Sequence, residues 1–408
     1  MPLPRPPFDT IALVLQGGGA LGAYQAGVMD GLHEAGIEPD WVAGISIGAI
    51  NAALIAGNPP ARRMERLREF WETVSQPALF PAAASWMDAA VGPLGGQARQ
   101  HWNAWNAWRA LAEGQRGFFT PRGVTPWLNL PQAAGEASFY DTTPLRETLL
   151  RLVDFDRLNH GDMRLTVSAV NVRTGNFEVF DSREGKYRHQ IGPEHVMASG
   201  ALPPGFPAVA VPEPRPYDRH GKIVPPRAGD PPPAVHHFWD GGLVSNTPLQ
   251  QVLEEKPLRD TLAFQVDLWS ARGDLPTTVV DAQERAKDIQ FSSRTRAATQ
   301  FLAQDQKQRR LLRDLLDRIP PEVRKSDPAC RAAEREACGR VVDVVHLIYQ
   351  DKEWDGLSKD YEFGPLTMRD HWASGLADIR HSLARPQWLA RPHDVDGFAT
   401  HDVHRAPK

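Results

Sequence analysis

At 408 residues the chain is long for a single core, so one large domain with an extension, or two domains, is expected. Its 46 basic residues against 50 acidic ones, with no long Lys/Arg block, speak against a nucleic-acid partner. Prolines and an acid break up the N-terminal MPLPRPPFDT as a signal peptide, and no apolar run approaches the roughly 20 residues that span a bilayer. A cytoplasmic protein is expected, one that can touch membranes only from the side. Its two cysteines, Cys330 and Cys338, lie roughly 12 Å apart if their segment is helical, too far to bridge.

The apolar run IALVL (11–15), ending at glycines, reads as a buried strand. Leu21, Tyr24, Val28 and Leu32 then recur at helical spacing, with Gly36 placed to end the helix. WVAGIS (41–46) reads as a second strand and IGAINAALIAG (47–57) as a second helix. Strand, helix, strand, helix argues for an α/β domain with a parallel sheet. From about 60 to 137 the pattern loosens: helical ARRMERLREFWETV (61–74), an Ala/Pro/Gly segment, then QHWNAWNAWRALAE (100–113). Regular signals return with a helix over Thr143–Leu152 and strands at RLTVSAVNV (164–172) and FEVFDS (177–182). Residues 203–234 are loop by proline content. VHHFWDGG (235–242) is an apolar run ending in a sharp turn, and LAFQVDLW (262–269) is a further buried strand. Beyond about 275 come a long charged helix (281–319), a strand VVDVVHLIYQ (341–350) and a helix at 369–384. The expected organisation is a domain at 10–272, with a tryptophan-rich stretch at about 80–135 and the proline-rich loop. A mostly helical extension at 276–385 and a polar tail at 386–408 follow, with a soft boundary near 272–276.

Within QGGGALGAYQAGV (16–28), Gly17 to Gly22 satisfy G-x-G-x-x-G, the dinucleotide-binding spacing. That fold wants an acid at the end of the second strand to hold a ribose. Glu38 and Asp40 precede the strand instead, and Ser46 stands where the acid should be. Ser46 lies in GISIG (44–48), which is G-x-S-x-G between a strand and a helix. A nucleophile must project from a tight turn, and Gly44 and Gly48 let the chain crowd there without Cβ clashes. The helix N-terminus that follows favours negative charge developing beside the serine. Loops after neighbouring strands of a parallel sheet meet at one edge, so Gly17, Gly18 and Gly19 would offer backbone N–H groups to an oxyanion there.

A serine nucleophile also needs a proton acceptor. His236 and His237 sit in a strand beside Trp239, where filling the strand is the plainer role. Asp240 is an acid at a strand end, on a turn formed by Gly241 and Gly242; such a turn is by itself more often structural. Taken together, QGGGALGAYQAGV, GISIG, ASGALPPGFPAV (198–209) and DGGLVSNTP (240–248) resemble the patatin-like phospholipases, in order, over roughly residues 10–270. The resemblance implies a three-layer α/β/α fold around a mainly parallel sheet. It also implies a Ser46–Asp240 dyad, serine as nucleophile and aspartate as base, with the loop of Gly17, Gly18 and Gly19 as oxyanion hole. The substrate would be a lipid or other ester, hydrolysed through an acyl-enzyme with no cofactor and no metal. Aspartate is a poor base at its ordinary pKa of about 3.9, and burial would raise it. Leu21 stands where the family usually carries Arg or Lys, which weakens the expectation of an anionic head group. KDYEFGPLTMRDHWASGLADIRHSL (359–383) resembles the C-terminal extension of a bacterial subgroup and reads as a packing or homo-oligomer element.

Two other readings remain at this stage. One is a Ser-His-Asp hydrolase with His346, His371 or His381 as the relay; the other is a nucleotide- or phosphate-binding module using GGGALG. Trp102, Trp105 and Trp108 fall on one side of a helix within about 120°. They read either as a lid or membrane-facing surface or as a buried stripe, with Phe118, Phe119 and Trp127 extending the apolar region toward an acyl pocket.

Overall fold

The computed structural model describes residues 3–77, 79, 81–92, 95–128, 130–227, 229–391 and 397–404. Residues 80, 93, 94 and 129 of the tryptophan-rich stretch, 228 of the proline-rich loop, and 392–396 and 405–408 of the tail lie outside the described residues.

The apolar runs become strands β1 (Thr10–Leu15), β2 (Trp41–Gly44), β3 (Arg164–Asn171), β4 (Phe177–Asp181), β5 (Val209–Pro212), β6 (Val235–Asp240), β7 (Thr261–Asp267), β8 (Val342–Ile348) and β9 (Phe398–Asp402). They form one sheet in the order β9-β8-β7-β1-β2-β3-β6-β5, with β4 pairing on β3. From β9 to β3 all neighbours are parallel, and β4, β5 and β6 add antiparallel pairings at the other end. Alternation along β1 feeds two cores, with Ile11, Leu13 and Leu15 on one face and Ala12 and Val14 on the other. A central parallel strand is covered on both faces and therefore reads as a continuous apolar run.

Helices α1 (Ala23–Glu34) and α2 (Ile47–Ala56) contribute to the first core, and α3 (Gly96–Glu113) stands outside it. The 39-residue α4 (Val279–Asp317) contributes Leu302 to the second core, and α5 (Pro365–Leu383) contributes Trp372 and Ile379 to the first. Helices therefore lie on both faces of a mainly parallel sheet, a three-layer α/β/α fold.

The segment beyond 276 shares this sheet rather than standing apart from it. All seven residues of β8 pair in parallel with β7, and α5 packs along α1, where Trp372 Nε1 donates to Asp30 Oδ2 at 2.8 Å. The expected polar tail is corrected in part, because residues 398–402 form the edge strand β9 and bury Phe398. Five residues are too few for their alternation to stand out from surrounding polar sequence. Cys330 and Cys338 are both free thiols.

Candidate active site

The C-terminal ends of β7, β1 and β2 are adjacent, so the loops that follow them crowd together at one edge of the sheet. Ser46 sits between β2 and α2 with φ 56° and ψ −124°, a left-handed backbone that a side chain adopts only under strain, of order 1–3 kcal/mol. The turn is tight enough that a Cβ on Gly44 would lie 2.1 Å from the Gly48 carbonyl oxygen. One on Gly48 would lie 2.3 Å from that of Leu15, so the two glycines are required by contact. The Ser46 N–H donates to Ser199 Oγ at 3.1 Å.

Asp240 reaches the same place by register. Thr166 of β3 pairs with Ala43 and Asp181, while Ala169 pairs with Asp240 and Glu178. β4 occupies one edge of β3 along Thr166–Val170, and β2 and β6 share the other. β2 ends at Gly44 opposite Val167, and β6 enters from the opposite direction to end at Asp240, two residues further along. Ser46 and Asp240 therefore meet end to end. The Asp240 Oδ1 accepts from the Gly242 N–H at 2.7 Å, and the Ser46 side chain lies close enough to act on the same carboxylate. Burial pushes its pKa up from 3.8 to about 6, against the opposing pull of the Ser46 side chain and the Gly242 N–H. The segment SGA (199–201) bridges the pair: Ser199 accepts from Ser46, and the Ala201 carbonyl accepts from the Asp240 N–H at 3.0 Å.

The glycine loop lies against the same serine, where a Cβ on Gly17 would be 3.0 Å from Ser46 Cβ. Its amides are not equivalent. The Gly17 N–H donates to the Asn246 carbonyl at 3.2 Å, so it is already committed and drops out of the expected set of three oxyanion donors. The Ala20 N–H donates to the Asp360 carbonyl at 2.7 Å. Between them, the N–H groups of Gly18 and Gly19 have no acceptor among the described residues. Gly19 has φ +56°, and a Cβ there would stand 2.0 Å from the Asp360 carbonyl oxygen. Gly22 packs against Ile47 and Trp71, and Gly241 against the Ser168 carbonyl and Ile45, so both close the scaffold around the site. Among the described residues no group of three or more His, Cys, Asp or Glu side chains converges as a metal site.

A family model described as "Patatin-like phospholipase" matches residues 13–253, which is more than half of the chain. The chain belongs to the patatin-like phospholipases. Members of this family are lipid hydrolases. A second model, described as "Patatin phospholipase", matches residues 289–395. Among relatives, the chain is 42% identical over 73 residues to Patatin-like phospholipase domain-containing protein 6 of Homo sapiens, covering 18% of this chain and 5% of that protein. It is 55% identical over 47 residues to Lysophospholipase nte1 of Aspergillus terreus, covering 12% of this chain and 3% of that one. The chain thus matches only a small part of the length of these relatives. A superposition on the crystal structure of VipD from Legionella pneumophila covers 93% of this chain and 67% of that one, at TM-score 0.35 and 16% identity.

In the glycine loop of this patatin-like phospholipase, Leu21 is fully buried in the core. Beside the loop, cations come from the extension, Lys287 pairing with Asp360 at 2.5 Å and Lys359 with Asp288 at 2.8 Å. The three histidines considered as relays stand elsewhere. His346 lies on β8 near Asp267, His371 is enclosed beside Tyr349 and Asp355, and His381 is exposed near the end of α5. Of the tryptophan stripe, Trp102 is half-buried and donates to Asp88 Oδ1 at 2.8 Å. Trp105 and Trp108 are 48% and 56% exposed and stack on each other, so the stripe is not simply core. Phe118 and Phe119 are buried with Phe206 and Phe363, whereas Trp127 is exposed. Reading the residues in order overlooked Ser199, Asn246, Trp269 and Asp360. Ser199, Asn246 and Asp360 lie inside stretches that carry the family resemblance, whereas Trp269 carries no signal beyond its place in an apolar run read as a buried strand.

Proposed function

We propose that this chain is a lipid acyl hydrolase in which Ser46 is the nucleophile and Asp240 its proton acceptor. The observation that carries the reading is the convergence of Ser46, on a turn where it has positive φ, with the buried Asp240 carboxylate, whose pKa the Ser46 side chain helps to hold down. Asp240 takes the proton from Ser46 Oγ as that oxygen attacks the ester carbonyl carbon. The resulting oxyanion faces the unpaired N–H groups of Gly18 and Gly19, with the N-terminus of α2 beside it. Collapse breaks the carbon–oxygen bond to the leaving alcohol, which receives the proton from Asp240. Water then attacks the acyl-Ser46 ester, Asp240 accepts its proton and returns it to Ser46 Oγ, and the acid leaves.

A carboxylate held at about 6 is well matched to this cycle. It is ionised at neutral pH, yet more basic than an exposed aspartate. Leu202, Leu243 and Val244, in the two segments that carry Ala201 and Gly242, are exposed apolar residues close in sequence to the dyad and suit an acyl substrate. The nucleotide-binding reading is disfavoured because Asp360 already takes the Ala20 amide and closes on Gly19. The test is fluorophosphonate labelling with ester turnover: both are expected in the wild type and neither in Ser46→Ala. Labelling that persists in that variant would remove Ser46 from the reaction.

A further inference from the structure

The Gly17–Gly18 peptide is the link of the loop least able to hold its own orientation, because neither residue has a side chain to restrict rotation. A trans peptide directs its C=O and its N–H to opposite sides. Whatever holds the Gly17 carbonyl therefore decides where the Gly18 N–H points. That carbonyl receives two buried donors, Asn246 Nδ2 at 3.0 Å and Trp269 Nε1 at 2.8 Å.

Both donors are themselves fixed. The Asn246 main-chain carbonyl accepts from the Gly17 N–H, so this residue grips Gly17 at both its N–H and its carbonyl. The main-chain N–H of Trp269 donates to Gln16 Oε1 at 3.2 Å, and the indole stacks on Phe291 of α4 with ring centroids 4.9 Å apart. Lys287 and Lys359 lie 5.4 and 5.7 Å from the same ring. Asp360, beside Lys359, takes the Ala20 N–H. The segment beyond 275 thus holds the glycine loop at two points.

We infer that Asn246 and Trp269 are positioning residues for the hydrolysis proposed above, on which this inference rests. They draw the Gly17 carbonyl away from Ser46 and so keep the Gly18 N–H turned toward the developing anion. A flipped peptide would present a carbonyl oxygen to that anion and reverse the stabilisation. The C-terminal segment, by clamping the Trp269 indole, is part of the machinery that sets the loop.

The experiment compares the wild type, Trp269→Phe, Asn246→Ala and the double variant on a short soluble ester, with fluorophosphonate labelling rates and melting temperatures. Trp269→Phe keeps an aromatic ring beside Phe291, removes the N–H and shortens the buried side chain, so its melting temperature is read beside its kcat. Each single variant is expected to lower kcat. The double variant should lower it on the order of 10²–10³-fold, the loss typical of a missing oxyanion donor, with slower labelling and little change in KM. The pH midpoint set by Asp240 should not move, since neither residue touches that carboxylate. A double variant with near-normal kcat, or losses accompanied by a shifted pH midpoint, would overturn the inference. Should the double variant not fold, Trp269→Phe decides alone: normal kcat and normal labelling rate overturn it. If the wild type itself shows no Ser46-dependent turnover, the hydrolase reading falls and takes this inference with it.

Discussion

Asp240 has a pKa of about 6 in the folded chain and 3.8 when exposed, the difference arising mainly from burial. As pH rises, the unfolded chain gives up this proton first. The group's contribution to stability is therefore complete below about pH 4 and is lost as pH climbs through 6, by about 3 kcal/mol in all. Asparagine at 240 cannot ionise. Asp240→Asn is expected to melt higher than the wild type at pH 8 and to lose that advantage near pH 4, while turnover falls to the Ser46→Ala background. Melting curves at both pH values, beside ester assays, check this; an active Asp240→Asn would end the role of the carboxylate. In the wild type, kcat/KM should rise with a midpoint near 6. His346→Ala, His371→Ala and His381→Ala should keep most activity, and one folded but dead histidine variant would favour a triad. The glycines separate likewise. A Cβ on Gly18 meets Leu268 Cδ1 at 2.8 Å and Leu268 Cβ at 3.0 Å, and comes within 3.3 Å of the Trp269 Nε1 that holds the Gly17 carbonyl, so Gly18→Ala should disturb that clamp and lose activity. A Cβ on Gly19 meets the Asp360 carbonyl at 2.0 Å, so Gly19→Ala should lower the melting temperature first.

The helix α3 carries the tryptophans whose role its spacing left open. Three residues at intervals of three share one side of a helix, but spacing alone does not say whether that side meets protein or solvent. The structure divides them: Trp102 is tied to Asp88, and Trp105 and Trp108 are exposed as a stacked pair. Exposed indoles favour the boundary between water and acyl chains. Replacing Trp105 and Trp108 together by Gln should lower activity on lipid vesicles and leave activity on a short soluble ester nearly unchanged. Trp102→Phe should instead lower the melting temperature. Equal losses on both substrates in the double variant would show that the pair supports the fold and not the lipid contact.

At the scale of the whole molecule, the chain beyond 275 completes the sheet. Removing residues 276–408 would strip β8 from β7, whose seven residues are all buried, and expose an apolar edge to water. It would also remove Phe291 from Trp269 and Asp360 from the glycine loop. A chain ending at 275 is therefore expected to be insoluble or unfolded, as judged by size-exclusion chromatography and circular dichroism. A soluble truncated chain with Ser46-dependent turnover would show that the patatin-like region stands alone.

Much of this was legible in the linear sequence because it is local chemistry. A strand ending in glycines, a serine between two glycines at a strand-to-helix turn, and an acid on a glycine turn each lie within a few residues. Short-range backbone sterics decide such features. Order along the chain was enough to suggest a parallel sheet and to bring the first two loops to one edge. Periodicity and spacing could not decide pairings between distant segments; the Ser46–Asp240 pairing was implied only by the family resemblance. Register on a shared edge of β3 brings Asp240 to Ser46, 194 residues earlier in the chain. Asn246 and Trp269 reach the Gly17 carbonyl across 229 and 252 residues. No periodicity encodes contacts at such separations. They arise when the sheet closes and its loops are packed, and that packing determines which amides of the glycine loop remain free.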